Sequence, residues 1–271
     1  MKDKATSWEK VNIARSIKRP TALDYINDIF TDFMELKGDR GYGDDSAIVG
    51  GIARLLNHSV TVIGIQKGNN TKENIDRNFG MPKPEGYRKA LRLMKQAEKF
   101  KRPVIIFIDT PGAFCGIESE ERGIGEAIAK NLMTMSTLKV PIISIIIGEG
   151  GSGGALALAV ADEIWMLENS IYSILSPEGF ASILYKDVSR AKEASEKMKI
   201  TSENLLSLGV IDRAIKEPIG GAQEDFNKMS TSIYMHLKEA VERLSKEPID
   251  SLLTKRYYKF RKLGKFTENA K

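Results

Sequence analysis

Ile142-Ile143-Ser144-Ile145-Ile146-Ile147-Gly148-Glu149-Gly150-Gly151-Ser152-Gly153-Gly154 is an apolar run that breaks into a glycine-rich turn. Upstream, Val104-Ile105-Ile106-Phe107-Ile108 is a second such run, ending in Asp109-Thr110-Pro111-Gly112-Ala113. Continuous apolar stretches of this kind read as strands buried on both faces, the pattern of parallel sheets. A helix is expected after each turn, over about 120–137 and about 152–161. Strand, turn, helix and strand again implies parallel pairing through crossover helices. The sequence therefore reads as an α/β fold with two glycine turns after adjacent strands.

Nearer the N-terminus, Ala22, Tyr25, Ile26, Ile29, Phe30, Phe33 and Leu36 recur at helical spacing, so residues 1–40 read as helix. Gly38, Gly41 and Gly43 end that pattern. Ala47–Leu55 and Ser59–Gln66 read as two strands joined as a hairpin at Asn57-His58. Residues 67–86 are polar and rich in Gly and Pro, a loop long enough to be functional or mobile. A helix is expected from about Tyr87 to Phe100. Beyond the second glycine turn, Ile164–Leu167 and Tyr172–Leu175 read as short strands. From Pro177 the chain reads as helical, over 178–186, 188–198, 201–208 and 222–245. No low-complexity linker divides it, so 1–271 is expected to be a single domain. It comprises a helical segment over about 1–40, a core over about 41–221, and C-terminal helices with a basic tail over about 222–271.

Composition narrows the function. The chain has 271 residues, 42% hydrophobic and 28% charged, with a formal net charge of +5. That supports a sizeable core and argues against disorder or a nucleic-acid arm. No apolar run approaches the roughly 20 residues of a membrane span, and the first residues carry no apolar signal region. The single cysteine, Cys115, rules out an internal disulfide and a cysteine-based zinc site. An intracellular, cytoplasmic protein is expected.

The 148–154 segment admits several chemistries. Gly148-x-Gly150-x-x-Gly153 matches a dinucleotide fingerprint with Glu168 downstream, although it lies past mid-chain with few strands to follow. Gly150-x-Ser152-x-Gly154 matches a nucleophile elbow, with Asp162 or Asp212 and then His236 in hydrolase order. His236 falls inside the expected 222–245 helix, where a catalytic base is out of place. A phosphate-binding Walker loop would need a lysine after Gly153, and Gly154 stands there. A further reading relies on the backbone: glycine turns entering helices leave N–H groups free near the positive end of a helix dipole. Two such turns would form oxyanion holes suited to enolate chemistry on a thioester, without any nucleophile. Close helix–sheet packing would account for the same glycines.

Longer strings decide among these. Arg77-Asn78-Phe79-Gly80-Met81-Pro82-Lys83-Pro84-Glu85-Gly86-Tyr87-Arg88, Asp109-Thr110-Pro111-Gly112-Ala113 and Glu120-Glu121-Arg122-Gly123 occur in that order. Gly148 to Leu156, Ser176-Pro177-Glu178-Gly179 and Pro218-Ile219-Gly220-Gly221-Ala222 follow. Together, from about Arg19 to Gly264, they resemble the carboxyltransferase alpha-subunit family of bacterial acetyl-CoA carboxylase. The resemblance implies a crotonase-like fold, a superhelix of repeated strand–strand–helix units with helical N- and C-terminal segments. It implies an acetyl-CoA carboxytransferase that moves the carboxyl group of carboxybiotin to acetyl-CoA, giving malonyl-CoA for fatty acid synthesis. The biotin rides on a separate biotin carboxyl carrier protein, loaded by a biotin carboxylase, and ATP is bound only at the level of the whole complex. A beta subunit with a four-cysteine zinc ribbon would complete an alpha2-beta2 assembly, so zinc belongs to the partner and no metal to this chain.

Carried onto this sequence, the family pattern makes Gly153 and Gly154 the amides that stabilise the developing oxyanion of biotin. Gly112 and Ala113 are inferred second donors, and Gly150, Gly151 and Ser152 would line the substrate site. Arg77 and Arg88 would meet the CoA phosphates. The chain departs from the family at Lys67-Gly68-Asn69, where Lys-Gly-Arg is common, and at Phe114-Cys115, where Tyr-Pro is usual. Lys255, Arg256, Lys259, Arg261, Lys262 and Lys265 form a basic tail that reads as a solvated end or a partner contact. A non-catalytic scaffold for the beta subunit and a dinucleotide-binding oxidoreductase are the alternative readings.

Overall fold

The computed structural model describes residues 5–264. Among these, eight strands form one sheet. In chain order they are β1 (Thr31–Glu35), β2 (Ile48–Leu55), β3 (His58–Ile65), β4 (Val104–Thr110), β5 (Ile142–Gly151), β6 (Glu163–Leu167), β7 (Ile171–Ser173) and β8 (Arg213–Ile215). The sheet order is β1-β2-β3-β4-β5-β6-β8, with β7 pairing β5 off this path. β1, β2 and β3 are antiparallel neighbours; from β3 onward every pairing is parallel. The expected central strands are therefore present and parallel.

Helices cover both faces, because the apolar stretches Val104–Ile108 of β4 and Ile142–Ile147 of β5, interrupted only by Ser144, send side chains to both faces by parity. Ile105, Phe107, Ile143, Ile145 and Ile147 face a core shared with helices α2 (Ala22–Ile29) and α11 (Phe226–Leu244). Val104, Ile106, Ile108, Ile142 and Ile146 face the opposite core, built with α4 (Pro84–Lys99) and the end of α6 (Ile124–Thr137). Each fully buried Ile contributes about 1.5–3 kcal/mol. Ser144, the polar residue inside β5, donates its hydroxyl to the Leu158 carbonyl at 2.7 Å.

Several boundaries differ from expectation. The N-terminal stretch is not one helical region: α1 (Ser7–Ala14) and α2 are capped by Thr6 with Glu9 and Thr21 with Asp24, and Thr31–Glu35 is the edge strand β1. Its apolar spacing suggests a helix, but pairing with β2 wins, and Gly51 opposite lacks the Cβ that would meet the Met34 carbonyl at 1.9 Å. The hairpin turns at Leu56-Asn57, so His58 begins β3. The polar 67–86 segment folds into α3 (Thr71–Asp76), a 3₁₀ turn at Asn78–Gly80 and the start of α4. Gly123, at φ +78°, separates α5 (Ile117–Glu121) from α6. The helix after the second glycine turn, α7 (Ser152–Leu156), is shorter than expected. The remaining helices are α8 (Pro177–Tyr185), α9 (Ala191–Lys197), α10 (Ser202–Ser207) and α12 (Ile249–Arg261). β8 had no strand signal of its own; it pairs β6 through Trp165↔Arg213 to Leu167↔Ile215.

Two residues of the basic tail turn inward, while Lys255, Arg261 and Lys262 are exposed. Arg256 is 1% exposed, binds both oxygens of Asp162 at 2.8 and 2.7 Å, and donates to the carbonyls of Met135, Leu138 and Val140. Lys259 pairs with Asp212 and reaches the Ala161 and Asp162 carbonyls. Asp162 and Asp212 in turn accept from the amides of Ile142 and Ile164. Arg256 and Lys259 thus fasten α12 to the loops that start β5 and β6, which a solvated tail would not do. Lys265 lies outside the described residues.

Candidate active site

The carboxyl ends of β4 and β5 bring the two glycine turns into backbone contact, with Thr110 paired to Gly150. A Cβ at Gly151 would stand 2.1 Å from the Pro111 carbonyl oxygen, and one at Gly154 would stand 2.5 Å from the Ala113 nitrogen. Only glycine permits that approach. Gly153 differs, since the nearest atom to a Cβ there is 3.8 Å away on Ile128. Protein packing does not require glycine at 153.

The amides follow the same division. Gly112 donates to the Thr110 hydroxyl at 3.0 Å, and that hydroxyl donates back to the Gly112 carbonyl at 2.7 Å. Among the described residues, none accepts a hydrogen bond from the amides of Ala113, Gly153 or Gly154. Free donors at the start of a helix are what an anionic oxygen seeks. Tyr87, fully buried on α4, donates its hydroxyl to the Gly154 carbonyl at 3.1 Å and so holds the turn from behind. Burial pushes its phenol far above the usual range, which keeps it a neutral donor.

Gly153 and Ser152 line an open groove of about 450 Å³ with Leu156, Tyr172, Leu205 and Phe260 among its walls. Among the described residues, no charged side chain lines the groove, and the one titratable group there, the Tyr172 phenol, is pushed up to about 12 by burial. Gly150 sits against Tyr172, a Cβ there falling 2.9 Å from the ring. Ser152 is exposed and adopts a left-handed φ of 52°.

Behind the turns lies a polar cleft of about 300 Å³ bordered by Arg15, Arg19, Lys67, Asp109, Pro111 and Glu149. Lys67 pairs with Asp109 at 2.6 Å and lies 3.7 Å from Glu149. Arg15 bridges Glu149 at 2.8 Å and Glu178 at 2.7 Å. Arg19, Lys67, Tyr87 and Asp109 are not among the residues the sequence marks for the site; of these, only Asp109 carries a local signal, a carboxylate ending an apolar strand directly before a glycine turn.

The other expected site residues are placed elsewhere. Arg77 donates to the Ser46 carbonyl at 2.8 Å. Arg88 pairs with Asp39 at 2.7 Å, with Glu85 at 3.2 Å, and donates to the Arg122 carbonyl. Burial pushes the Asp39 carboxyl up, but bonds from the Gly41 amide, Arg88 and the Gly43 and Tyr42 amides outweigh it and hold the group below its usual range. Neither arginine lines the groove beside Gly153. Glu168, the acid that a dinucleotide reading needs, accepts from Lys216 and the Glu217 amide. His236 meets Arg213 at 2.7 Å, while Asp162 and Asp212 hold α12, so the hydrolase order of residues does not assemble on Ser152. Cys115 is exposed.

Residues 1–264 match the family described as acetyl co-enzyme A carboxylase carboxyltransferase-like. The chain is 65% identical over 264 residues to the acetyl-coenzyme A carboxylase carboxyl transferase subunit alpha of Clostridium acetobutylicum, covering 97% of this chain and 96% of that one. It is 61% identical over 267 residues to a protein of Natranaerobius thermophilus named as subunits beta/alpha, of which it covers 44%. Among solved structures, the 12S core of transcarboxylase superposes with a TM-score of 0.64 at 20% identity, over 84% of this chain and 44% of that one. That likeness speaks for the fold alone, a crotonase-like α/β architecture. The free amides at two abutting strand ends and the identity along nearly the whole chain agree: the protein belongs to the family of acetyl-CoA carboxylase carboxyltransferase alpha subunits.

Proposed function

We propose that this chain, acting as one unit with a beta subunit, transfers the carboxyl group of carboxybiotin to acetyl-CoA and forms malonyl-CoA. The observation that carries the reading is that, among the described residues, the amides of Ala113, Gly153 and Gly154 have no acceptor and lie beside an open groove lined by no charged side chain. Gly153 and Gly154 are assigned to the developing negative charge on a substrate carbonyl oxygen, and Ala113 is the available donor of the neighbouring turn. Each well-placed donor of this kind lowers a barrier by about 2.7–4 kcal/mol.

An uncharged groove with backbone donors at one end suits a small ring system bearing one carbonyl, the chemistry of biotin. When bound, biotin supplies the nitrogen that carries the carboxyl group. Ser152 borders the same end of the groove, and Gly150 and Gly151, which lead the chain into it, are assigned to the substrate site with it. With the Tyr172 phenol held neutral, the chain offers positioning and charge stabilisation there rather than a side-chain base.

Relatives in which beta and alpha are a single polypeptide support a beta-subunit partner; an alpha2-beta2 unit working with a biotin carrier and a biotin carboxylase is the assembly assigned to it. Zinc is assigned to the beta subunit, since this sequence holds one cysteine. Soluble substrates and carrier go with a cytoplasmic location. Arg77 and Arg88 are assigned to CoA phosphates, Arg77 being the less committed of the two; charge reversal at Arg77 that leaves CoA affinity unchanged would remove it from that role.

The test is decarboxylation of malonyl-CoA with a soluble biotin analogue as acceptor, run on this chain alone and then with a zinc-ribbon beta subunit. Activity only in the mixture supports the reading and places the site across the interface. Silence from an assembled complex overturns it.

A further inference from the structure

β5 carries more residues than β4 along their shared edge. Ile108 pairs with Ile146 and Thr110 with Gly150, so Asp109 alone faces Ile147, Gly148 and Glu149. The bulge falls where β5 changes partner on its other edge, from β6, last paired at Ile146, to β7, first paired at Glu149. Backbone groups in a bulge lose their ladder partners and need others.

Both are supplied by buried charges. The Glu149 amide donates to Asp109 Oδ1 at 2.8 Å, and Arg19 Nε donates to the Ile147 carbonyl. Lys67 Nζ, 2.6 Å away, aims the same Asp109 oxygen. Arg19 is gripped by Glu217 at 2.6 and 3.0 Å. Gly148 leaves the room this needs, because a Cβ there would meet Asp109 Oδ1 at 2.4 Å. The chain then runs directly through Gly150 and Gly151 into the amides of Gly153 and Gly154. Buried ion pairs are a poor source of stability and a better source of fixed geometry, and oxyanion donors act only when held within a few tenths of an ångström.

We infer that Asp109 is a positioning residue for carboxyl transfer: its oxygen, aimed by Lys67, sets the β5 bulge that places the Gly153 and Gly154 amides. The inference rests on the amide site proposed above. The role belongs to the hydrogen-bond acceptor and not to the negative charge as such, so Asp109→Asn and Asp109→Ala should part company.

The experiment measures malonyl-CoA-dependent carboxylation of a biotin analogue by the complex with its beta subunit, alongside thermal unfolding. Asp109→Ala should lower kcat about 30-fold with the KM for malonyl-CoA within about twofold. Asp109→Asn, which keeps an acceptor for the Glu149 amide, should stay within about threefold of the parent. Equal losses in both variants, an unchanged kcat in Asp109→Ala, or a loss confined to KM would overturn the inference. Should Asp109→Ala fail to assemble, Lys67→Met decides: kcat about tenfold lower with an unaltered melting temperature supports it, and unaltered kcat overturns it. A silent parent complex would overturn the amide site and this inference together, whereas an active parent with an active Asp109→Ala variant overturns only the inference.

Discussion

The Tyr87 hydroxyl lies 3.1 Å from the Gly154 carbonyl oxygen, with both groups buried, so α4 braces the second glycine turn from the side away from the groove. Tyr87→Phe removes the donor and leaves a buried carbonyl unpaired, at about 1–3 kcal/mol of stability. The expected outcome is a lower melting temperature and a several-fold lower kcat in the reconstituted complex. A kcat equal to the parent's would show that the brace does not reach the amides.

Gly153 and Gly154 should respond differently to a methyl group. Gly154→Ala places a Cβ 2.6 Å from the Gly112 carbonyl carbon, so one turn must move and both stability and activity should fall. Gly153→Ala meets nothing closer than 3.8 Å, so the fold should hold while the methyl enters the groove. Loss of one oxyanion donor's geometry predicts a kcat about 100-fold lower with unfolding unchanged. Parallel denaturation and activity measurements separate the two variants.

Arg256→Met should be among the most destabilising substitutions in the chain. Arg256 is 1% exposed, and its removal strands Asp162 together with three carbonyls. Breaking a buried pair costs about 3–5 kcal/mol, which lowers the melting temperature by roughly 10 °C for a chain of this size. Lys255→Met, whose partner Glu247 sits near the surface of the same region, should change little.

Stability should decline in mild acid partly through His236. Burial first, then the facing Arg213, lowers its pKa from 6.5, with Glu239 opposing weakly. The folded state therefore holds a neutral imidazole, able to accept from the Arg213 guanidinium at 2.7 Å. Its contribution is full above about pH 6.5 and shrinks as pH falls through the lowered value, because the unfolded chain then binds the extra proton. Melting temperatures at pH 7.5 and 5.5 should differ less in His236→Asn than in the parent, and an equal difference would discount the residue.

The places where sequence and structure part have physical reasons. Phe33 and Leu36 continue the helical spacing of α2, yet Thr31–Glu35 pairs as an edge strand because β2 has an open edge and Gly51 admits close approach. β8 is too short to announce itself and exists because β6 offers it a ladder. Arg256 and Lys259 look like part of a charged tail until Asp162 and Asp212, far away along the chain, are folded beneath them.

Legible in the sequence are two apolar strands and the glycine turns that end them, set by residues within a few positions of one another. Their parallel pairing follows from the crossover spacing, and the family from ordered strings spread from about Arg19 to Gly264. Only the folded chain shows which amides stay free. The Gly112 amide is taken locally by the Thr110 hydroxyl two residues back, whereas among the described residues no acceptor is brought to the Ala113 amide. Tertiary structure also decided that Asp109 meets Glu149 forty residues on, and that Arg19 reaches Ile147 across 128 residues. Those partners are selected by the closing of the sheet, since a buried backbone group must find an acceptor or donor wherever packing happens to bring one.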